Sequence, residues 1–567
     1  MSTHPYTTRF WTQQYPAGIP ADLPSAGAAY TSLAQFFQQT CAQHGAKTAF
    51  VSFNQELSYS ELQRMAVQFC SWLQRTGIQP GDRVALMMPN LLQYPVCVFG
   101  TLLAGAVVVN TNPLYTAREL HHQLHDSGAR VLVVAKNFAD TVATALAGTA
   151  VEQVVLTSIG EFLGPVRGRI IDAVLRYVRK AIPACPLEHT ITLSQALDTR
   201  NRNVQIQFPV IRSHHLAFLQ YTGGTTGLSR GAMLTHGNLL ANLDQAHTWI
   251  SQHLHTSTCA NDQETIITAL PLYHIFALTA NCLTFMRLGA RNVLVTNPRD
   301  IAGLMKIMRN YPFSAFTGVN TLFNALLNSP GFQKLGFSKL KVTLGGGMAV
   351  QPAVAQRWQQ ITGNHLTQAY GLTEASPAVA INPVGEAYNG SVGLPVPGTD
   401  IRICDENGQT VPIGRTGEIH IAGPQVTQGY WNLPQSKTES FTEHGYFKTG
   451  DVGYFNAQGY LTLVDRLRDT IIVSGFNVYP NEIEQVVIEL DGIADAAAVG
   501  IPDTHSGQTV KLFVMPGSNP PDVHTIMQHC RANLAPYKVP RHIEFRSELP
   551  RSTIGKVLRR ALRDPET

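Results

Sequence analysis

The sequence predicts an α/β protein: a large N-terminal domain of helix-covered sheets plus a distorted β-barrel part, and a small α+β C-terminal domain. Its 567 residues are too many for one compact core, so at least two domains are expected. From about residue 30 to 380, apolar runs alternate with amphipathic helical segments, which favours parallel strands covered by helices. After about residue 390, turn residues separate short alternating strands, which is typical of a small barrel.

The predicted elements follow in chain order. The runs "DRVALMM", "ARVLVVA" and "VEQVVLTS" predict strands, each followed by a helical or turn segment. The apolar run from Val96 to Val109 is shorter than the ~20 residues of a membrane-spanning helix, so it predicts a buried helix that turns into a strand. The run "LAFLQ" predicts a strand ahead of a Gly-rich loop. Beyond the charged stretch 464–484, "AAAVGIP" and "VKLFVMPG" predict strands of the C-terminal domain.

Composition excludes several classes of protein. Hydrophobic residues make up 44% of the chain and charged residues 14%, which excludes a disordered or fibrous protein. The net charge of +4 argues against nucleic acid as a partner. The eight cysteines have no CxxC spacing, and the first residues have no apolar signal core. We therefore expect a cytoplasmic protein, soluble or held at a membrane surface.

The stretch "YTGGTTGLSRG", residues 221–231, has the composition of a phosphate-binding loop. It is not a Walker A sequence, yet its glycines would let successive N–H groups surround one anion. Thr222, Thr225 and Thr226 would add hydroxyl donors, and Arg230 would add a positive charge. The alternative is an ordinary surface turn.

Three other stretches carry candidate residues, each with an ordinary alternative. In "QAYGLTE", Tyr370 could stack on a base, Thr373 could contact a phosphate and Glu374 could bind Mg²⁺; otherwise the stretch is a loop ending in a helix cap. In "GYFKTGDVG", Asp451 could accept hydrogen bonds from ribose, or form an Asx turn. In "LPRSTIGKVLRRALRD", Lys556 could be catalytic, or a solvated surface lysine.

In this order, the four stretches resemble the acyl-adenylate-forming superfamily, and within it the bacterial long-chain fatty acid–CoA ligases. The likeness covers almost the whole chain, including "LPLYHIFALT", "GGGMAVQPAVAQRW", "GPQVTQGYW" and "VSGFNVYPNEIE". It implies ATP-dependent activation of a long-chain fatty acid through an acyl-adenylate to acyl-CoA, with release of AMP and pyrophosphate. ATP and coenzyme A would be substrates and Mg²⁺ the cofactor.

The resemblance also assigns roles to individual positions. ATP or AMP contacts would fall on Thr222, Gly223, Gly224, Thr225, Thr226, Gly227, Arg230, Gly346, Gly347, Gln368, Tyr370, Gly371, Thr373, Asp451 and Arg466. Mg²⁺ contacts would fall on Thr225 and Glu374, catalytic roles on Lys556, His274 and Glu374, and CoA contacts on Gly475 and Phe476. For His274, a buried core histidine is the alternative.

The resemblance further implies how the domains are divided and how they move. The adenylation domain would span 1–465, with the barrel-like part at about 390–465. A hinge at 466–468, centred on Arg468, would precede a mobile C-terminal domain at 469–567. After adenylation this domain would swing so that Lys556 leaves and the CoA-binding face arrives.

The chain departs from the family pattern in three places. Arg230 stands where lysine is common, and Leu467-Arg468 stands where Lys-Lys is frequent, so both changes keep a positive charge. Leu278 stands where some relatives place a tryptophan that gates the acyl tunnel. The control of acyl chain length is therefore open.

The segment 165–183 has a basic amphipathic pattern. Its apolar stripe and its basic residues are Ile170, Ile171, Val174, Leu175 and Val178, with Arg169, Arg176, Arg179 and Lys180. One interpretation is an interfacial helix on an anionic membrane, at the inner face of the cytoplasmic membrane. The other is a helix packed on its own domain with a solvated basic face.

Other functions stay open from sequence alone. The acid could be medium-chain or aromatic, or the enzyme could be a fatty acyl-AMP ligase that loads a carrier protein, although "VSGFNVYPNEIE" argues against the latter. A non-catalytic acyl- or nucleotide-binding protein is the fourth hypothesis, against which Glu374, Asp451 and Lys556 argue. Homodimer formation is open as well.

Overall fold

The computed structural model describes residues 5–23, 29–183, 187, 189–198, 206–222, 229–254, 263–434, 439–474, 476–503, 506–552 and 555–563. The strands are β1 Thr48–Ser52, β2 Gln55–Ser58, β3 Arg83–Met87, β4 Val107–Asn110, β5 Val131–Ala135, β6 Gln153–Thr157, β7 Thr190–Thr192, β8 Leu216–Thr222, β9 Arg230–Thr235, β10 Thr265–Thr268, β11 Arg291–Leu294, β12 Ala315–Gly318, β13 Val342–Gly345, β14 Leu366–Gly371, β15 Ala378–Ile381, β16 Leu394–Pro395, β17 Asp400–Cys404, β18 Gly417–Ala422, β19 Phe447–Phe455, β20 Leu461–Arg466, β21 Ile471–Val473, β22 Phe476–Val478, β23 Ile493–Asp503, β24 Gly507–Pro516 and β25 His542–Phe545.

The α-helices are α1 Leu33–His44, α2 Tyr59–Arg75, α3 Gln93–Leu103, α4 Ala117–Ser127, α5 Ala139–Ala145, α6 Pro165–Ala173, α7 Leu193–Ala196, α8 His236–Ile250, α9 Ile275–Ala277, α10 Thr284–Arg287, α11 Ile301–Asn310, α12 Asn320–Leu327, α13 Pro352–Thr362, α14 Pro480–Ile488, α15 Val523–Asn533 and α16 Arg560–Arg563. Capping boxes begin α2 at Ser58 and α4 at Thr116, in each case with a glutamate three residues later. No helix in the described ranges is long and apolar enough to cross a bilayer.

Two helix-covered sheets form the large domain, as the alternation of the sequence predicts. The seven-stranded sheet has the order β7-β6-β5-β3-β4-β8-β9, and the nine-stranded sheet has the order β16-β15-β14-β13-β12-β10-β11-β1-β2. The three predicted strand runs form β3, β5 and β6, which are parallel neighbours. The run Val96–Val109 enters buried α3 and buried β4, as predicted.

A third sheet occupies the region where a distorted barrel is predicted. Strands β17 to β20 form a four-stranded antiparallel sheet, and the ring of Phe455 on β19 stacks on that of Trp11 at 5.2 Å. The pairings between described strands leave this sheet open at β17 and β20. A closed barrel therefore stays a prediction.

The separate C-terminal domain is built on a five-stranded sheet. Its strands β22, β21, β24 and β23 are antiparallel neighbours, and β25 pairs in parallel with β24. Helices α14 and α15 cover a core that includes Ile483 and Ile526. The predicted strands "AAAVGIP" and "VKLFVMPG" form β23 and β24, so the predicted α+β character is confirmed.

Candidate active site

The candidate nucleotide site lies at the carboxyl ends of the parallel strands β13 and β14, where open α/β sheets bind ligands. Gly346 and Gly347 follow β13, and Tyr370 and Gly371 end β14. Gln368 pairs with Gly345 across the two strands. The buried side-chain oxygen of Gln368 has no hydrogen-bond partner among the described residues.

The two strands that flank the candidate phosphate loop are antiparallel partners. Strand β8 ends at Thr222 and β9 begins at Arg230, and these two residues are paired in the ladder. The predicted contacts Gly223, Gly224, Thr225, Thr226 and Gly227 lie outside the described residues. The guanidinium carbon of Arg230 lies 5.9 Å from the ring centre of Tyr430.

Glu374 is held by residues from a distant part of the chain. It lies in the short 3₁₀ turn Thr373–Ala375 after β14. Tyr430 donates its hydroxyl hydrogen bond to Glu374 Oε1 over 2.6 Å, and the Thr427 amide donates to the Glu374 carbonyl over 2.7 Å. Burial and the Glu374 charge raise the pKa of Tyr430. The carboxylate is therefore fixed at the edge of the nucleotide site.

The side chains around Glu374 suit Mg²⁺, which needs few protein ligands, better than a metal ion that is bound entirely by protein side chains. No group of three or more His, Cys, Asp or Glu side chains in the described ranges could hold a metal ion. Mg²⁺ usually takes one or two carboxylates and completes its shell with phosphate oxygens and water. One carboxylate in the turn Thr373–Ala375, which contacts β9, fits that pattern.

Asp451 is placed by Tyr370 and Arg466. Tyr370 donates its hydroxyl hydrogen bond to Asp451 Oδ2 over 2.6 Å, and Arg466 Nε lies 2.5 Å from Asp451 Oδ1. Asp451 and Arg466 are cross-strand partners on β19 and β20, which explains the pairing. Burial, followed by the Asp451 charge, raises the pKa of Tyr370 well above its usual value. The two sequence motifs thus meet in one buried group.

Lys556 reaches this group from the C-terminal domain. Burial, followed by the charge of Arg466, lowers its pKa to about 8, and the charge of Asp451 opposes this shift. The preceding Gly555 has φ +81°, and a Cβ atom there would lie 2.7 Å from Thr321 Oγ1 on α12. The lysine loop therefore packs on the large domain, and Lys556 lies within electrostatic range of Arg466 and Asp451.

An apolar channel leads from the nucleotide site into the large domain. It encloses about 930 Å³ including its open mouth. Its lining residues include His274, Gly346, Gly347, Tyr370, Gly371 and Thr373 near the nucleotide site, and Ile250, Phe285, Ala315, Val342, Ile381 and Val384. Ala315 and Val342 are paired at the amino ends of β12 and β13, three residues before Gly318 and Gly345. The channel thus follows the strands for roughly 10 Å.

His274 lies on the channel wall at the start of α9. Its Nδ1 accepts a hydrogen bond from the Phe276 amide over 3.3 Å. Burial lowers its pKa to about 4, so the ring is neutral near pH 7 and its proton lies on Nε2. Leu278 is fully buried and is not among the described residues that line the channel. The position where some relatives have a gate therefore packs in the core.

Phe476, one of the residues predicted to bind CoA, is not among the described residues that line the channel. Phe476 is 55% exposed on the C-terminal domain and its ring stacks on Tyr537 at 4.8 Å. Gly475 lies outside the described residues, and Arg468 is exposed after β20. The arrangement brings Lys556 to the nucleotide site and leaves the face with Phe476 away from the channel lining.

Sequence reasoning missed two parts of the site. Tyr430 lies within the quoted stretch "GPQVTQGYW", but no role was assigned to it; its spacing to Glu374 gives no signal of the contact. The channel wall was missed because Ile250, Ala315 and Val342 come from separate elements. An apolar side chain next to a strand end looks like any core residue.

These features define an adenylate-forming enzyme, and the chain belongs to the AMP-binding enzyme family. The family model for AMP-binding enzymes matches residues 37–431, and the model for the AMP-binding enzyme C-terminal domain matches 482–556. The chain is 48% identical to a long-chain-fatty-acid–CoA ligase of Escherichia coli, over 98% of both chains. It is 34% identical to a protein of that name from Bacillus subtilis, again over 98% of both.

Solved structures agree with this assignment. The chain resembles ATP-bound MatB from Rhodopseudomonas palustris with a TM-score of 0.79 and 27% identity, over 94% of this chain and 98% of that one. It also resembles an anthranilate CoA ligase in complex with anthranoyl-AMP, with a TM-score of 0.81 and 23% identity, over 95% and 97%. The second likeness concerns the fold alone.

Proposed function

We propose that the protein is an ATP-dependent ligase that converts a long-chain fatty acid to its acyl-adenylate and then to acyl-CoA. The observation that carries the proposal is the apolar channel, which ends at Tyr370, Gly371 and Thr373 beside Asp451. A channel of this kind suits an aliphatic chain whose carboxylate meets a nucleotide at the mouth. Relatives named as long-chain ligases support the same substrate class.

The residues divide the chemistry between them. Asp451, held by Tyr370 and Arg466, would accept hydrogen bonds from the ribose hydroxyls. The Gly- and Thr-rich stretch 222–227 and Arg230 would bind the β- and γ-phosphates. Glu374 would hold Mg²⁺ together with phosphate oxygens, and the ion would supply charge neutralisation at the triphosphate. His274, neutral with its proton on Nε2, would face the acyl group at the channel mouth.

Lys556 would offset the repulsion between two anions. The fatty carboxylate attacks the α-phosphorus, the bond to pyrophosphate breaks, and a mixed anhydride with AMP forms. A cation placed at the developing charge stabilises that transition state. The CoA thiol then attacks the acyl carbon and AMP leaves. We propose a hinge at 466–468, about which the C-terminal domain turns so that Gly475 and Phe476 replace Lys556.

One assay separates the functional alternatives. Purified protein is incubated with ATP, Mg²⁺, CoA and acids from hexanoic to stearic, with an aromatic acid alongside, and AMP and acyl-CoA are measured. Acyl-CoA formation that favours long acids supports the proposal. AMP without acyl-CoA would indicate transfer to a carrier protein, and the absence of both products would indicate a binding protein.

We also propose that the protein meets its substrate on an anionic membrane through the helical segment 165–183. In Pro165–Val178, Gly168 is the one buried residue, and its Cα lies against the Gly160 backbone, where an added Cβ would be 2.1 Å from the Gly160 oxygen. Five apolar side chains of the segment are 42–74% exposed: Val166, Ile170, Val174, Tyr177 and Val178.

The charges of this segment complete the argument. Ile171 and Leu175 of the predicted stripe are partly buried, so the exposed ridge is shifted by about one position towards Val166 and Tyr177. Arg169, Arg176 and Lys180 are exposed beside the ridge. Asp172 accepts hydrogen bonds from Ser158 and Gly160. A ridge of apolar residues with basic flanks suits anionic lipid headgroups over acyl chains.

Vesicle binding tests the membrane proposal. The triple variant Arg176→Glu, Arg179→Glu and Lys180→Glu should lose binding to phosphatidylglycerol vesicles. The control variant Lys334→Glu, Lys339→Glu and Arg415→Glu reverses three exposed charges elsewhere and should still bind. Equal binding by both variants would contradict the proposal. Gel filtration with light scattering would determine whether the protein is a homodimer.

A further inference from the structure

A group of buried charges lies next to the proposed hinge and outside the substrate site. The guanidinium of Arg559 donates to Glu484 Oε2 over 2.8 Å and to Asn481 Oδ1 over 2.5 Å. It also lies 3.5 Å from Asp465 Oδ1 and 3.4 Å from Asp469 Oδ2. Three carboxylates and one amide thus converge on a single arginine. We call this group the hinge cluster.

The hinge cluster joins residues from both sides of the proposed hinge. Asp465 lies on β20, before the hinge, whereas Glu484 lies on α14 and Arg559 follows Lys556 by three residues. Asp465 Oδ2 accepts the Asn481 amide over 2.9 Å, and Asn481 Nδ2 donates to the Val464 carbonyl over 3.1 Å. The contacts of Asp465 therefore cross the hinge, while the contact between Arg559 and Glu484 stays within the C-terminal domain.

Because the hinge cluster is buried, the stability of its charged groups depends on the distances between them. The side chains of Asp465, Arg559 and Glu484 are 0%, 10% and 14% exposed. Burial raises the pKa of Asp465 and of Glu484, and the Arg559 charge opposes both shifts. Buried charges are unfavourable without a partner, so Asp465 loses stabilisation once the C-terminal domain turns away from it.

A second arginine acts on the hinge itself. Arg563, on α16, donates to the Arg468 carbonyl over 3.4 Å and lies 3.3 Å from Asp469 Oδ1. The segment that carries Lys556 is thus tied to the hinge by two arginines that follow it within seven residues. The position of Lys556 and the conformation of the hinge are set by the same short stretch of chain.

We propose that Arg559 is a positioning residue: its ion pair with Asp465 stabilises the domain arrangement that holds Lys556 at the nucleotide site. The inference rests on the proposed function and on its hinge. Rotation at Arg468 parts Asp465 from Arg559 and leaves Glu484 with Arg559. The pair therefore favours adenylation over thiolation without touching either substrate.

The test compares two carboxylates of the same cluster. Asp465→Asn should slow acyl-adenylate formation in single turnover about tenfold, and should leave CoA transfer from supplied acyl-adenylate within about twofold of wild type. Glu484→Gln removes the same charge inside the C-terminal domain, and should change both half-reactions by equal factors. Equal loss of both half-reactions in Asp465→Asn would overturn the proposal.

Two further measurements keep the test decisive if a variant is unstable. Arg559→Lys keeps the charge but loses the planar guanidinium that reaches Asp465 and Glu484 together. It should therefore slow adenylation and leave thiolation near wild type, as Asp465→Asn does. In a double-mutant cycle, Asp465→Asn and Arg559→Lys should couple in adenylation and be additive in thiolation. Additivity in both half-reactions would overturn the proposal.

A structural measurement separates failure of this inference from failure of the proposed function. Hydrogen exchange at residues 464–470 should speed up in Asp465→Asn and stay near wild type in Glu484→Gln. That result would support the hinge contact even in a protein with no ligase activity, whereas wild-type inactivity with every acid would refute only the proposed function. Unchanged exchange in Asp465→Asn would refute the contact.

Discussion

Two buried aspartates on neighbouring strands differ in where their partners lie relative to the proposed hinge. Asp451, on β19, pairs with Tyr370, which precedes the proposed hinge, and with Arg466, the first residue of that hinge. Asp465, on β20, pairs with Arg559 and Asn481, and both follow it. With the proposed hinge, the first group would persist through the whole reaction, whereas the second would break and form again each time the C-terminal domain rotates.

The difference shows how one cleft can serve two half-reactions. Under the proposed function, groups before the hinge would make a permanent site for the ribose and the acyl chain. The C-terminal domain would deliver Lys556 to that site and withdraw it. Substitutions in contacts that lie wholly on one side of the hinge should therefore affect both half-reactions, whereas removal of a contact across the hinge, or of Lys556, should separate them.

The largest effect is expected for Lys556→Ala, which removes a delivered charge. Acyl-adenylate formation should fall about 10³-fold, because the cation stabilises charge that develops only in that step. Thiolation of supplied acyl-adenylate should stay within a few fold of wild type. Quenched-flow measurement of both half-reactions checks this, and a common loss in both would contradict the role given to Lys556.

Asp451→Asn should give a smaller loss that is shared by both half-reactions. The ribose stays in the site from ATP to AMP, so each step loses a hydrogen bond to a charged group, about 10²-fold at most. Steady-state kcat/KM for ATP and single-turnover thiolation provide the measurement. A loss confined to adenylation would show that Asp451 does not belong to the permanent site.

Ala315→Phe should shorten the channel at the end away from the nucleotide. Ala315 begins β12, about 10 Å along the strands from the nucleotide side. We expect kcat/KM for palmitic acid to fall about tenfold relative to octanoic acid, in both half-reactions. Ile307→Phe, on the outer helix α11, is the control, and an unchanged preference would place the acyl chain elsewhere.

The last effect, of the same size as that expected for Ala315→Phe, concerns pH. Because the pKa of Lys556 is lowered to about 8, its cationic form is lost as the pH rises through that value. In the free enzyme, kcat/KM for adenylation should fall about tenfold between pH 7 and pH 9. Lys556→Arg keeps its charge and should remove this decline in whatever activity it retains. The rate of thiolation should not decline over the same pH range.

Much of the fold could be predicted from local patterns. The Val- and Leu-rich runs of β3, β5 and β6 are each buried on both faces, and such runs identify parallel strands. The order of the four motifs also predicted candidate site residues. Among these, the structure brings together Tyr370, Asp451, Arg466 and Lys556. Local signals suffice where chemistry requires a particular residue type.

Contacts between distant segments could not be predicted in the same way. Asp465 and Arg559 are 94 residues apart, and Tyr430 and Glu374 are 56 apart, so no periodicity links the partners. The exposed ridge of the 165–183 segment gave an ambiguous pattern, since a buried and an exposed apolar stripe have the same spacing. Which stripe faces solvent depends on the close approach of Gly160 and Gly168.

Gly555 sets the tolerance of domain closure. With φ +81° and 2.7 Å between a hypothetical Cβ and Thr321 Oγ1, the two domains meet there with less clearance than one methyl group needs. The contact between the Gly555 backbone and Thr321 thus determines how far Lys556 extends towards the site. A larger residue at position 555 would hold the two domains apart although every catalytic side chain is still present. The resulting loss of activity would come from incomplete domain closure and not from a missing catalytic group.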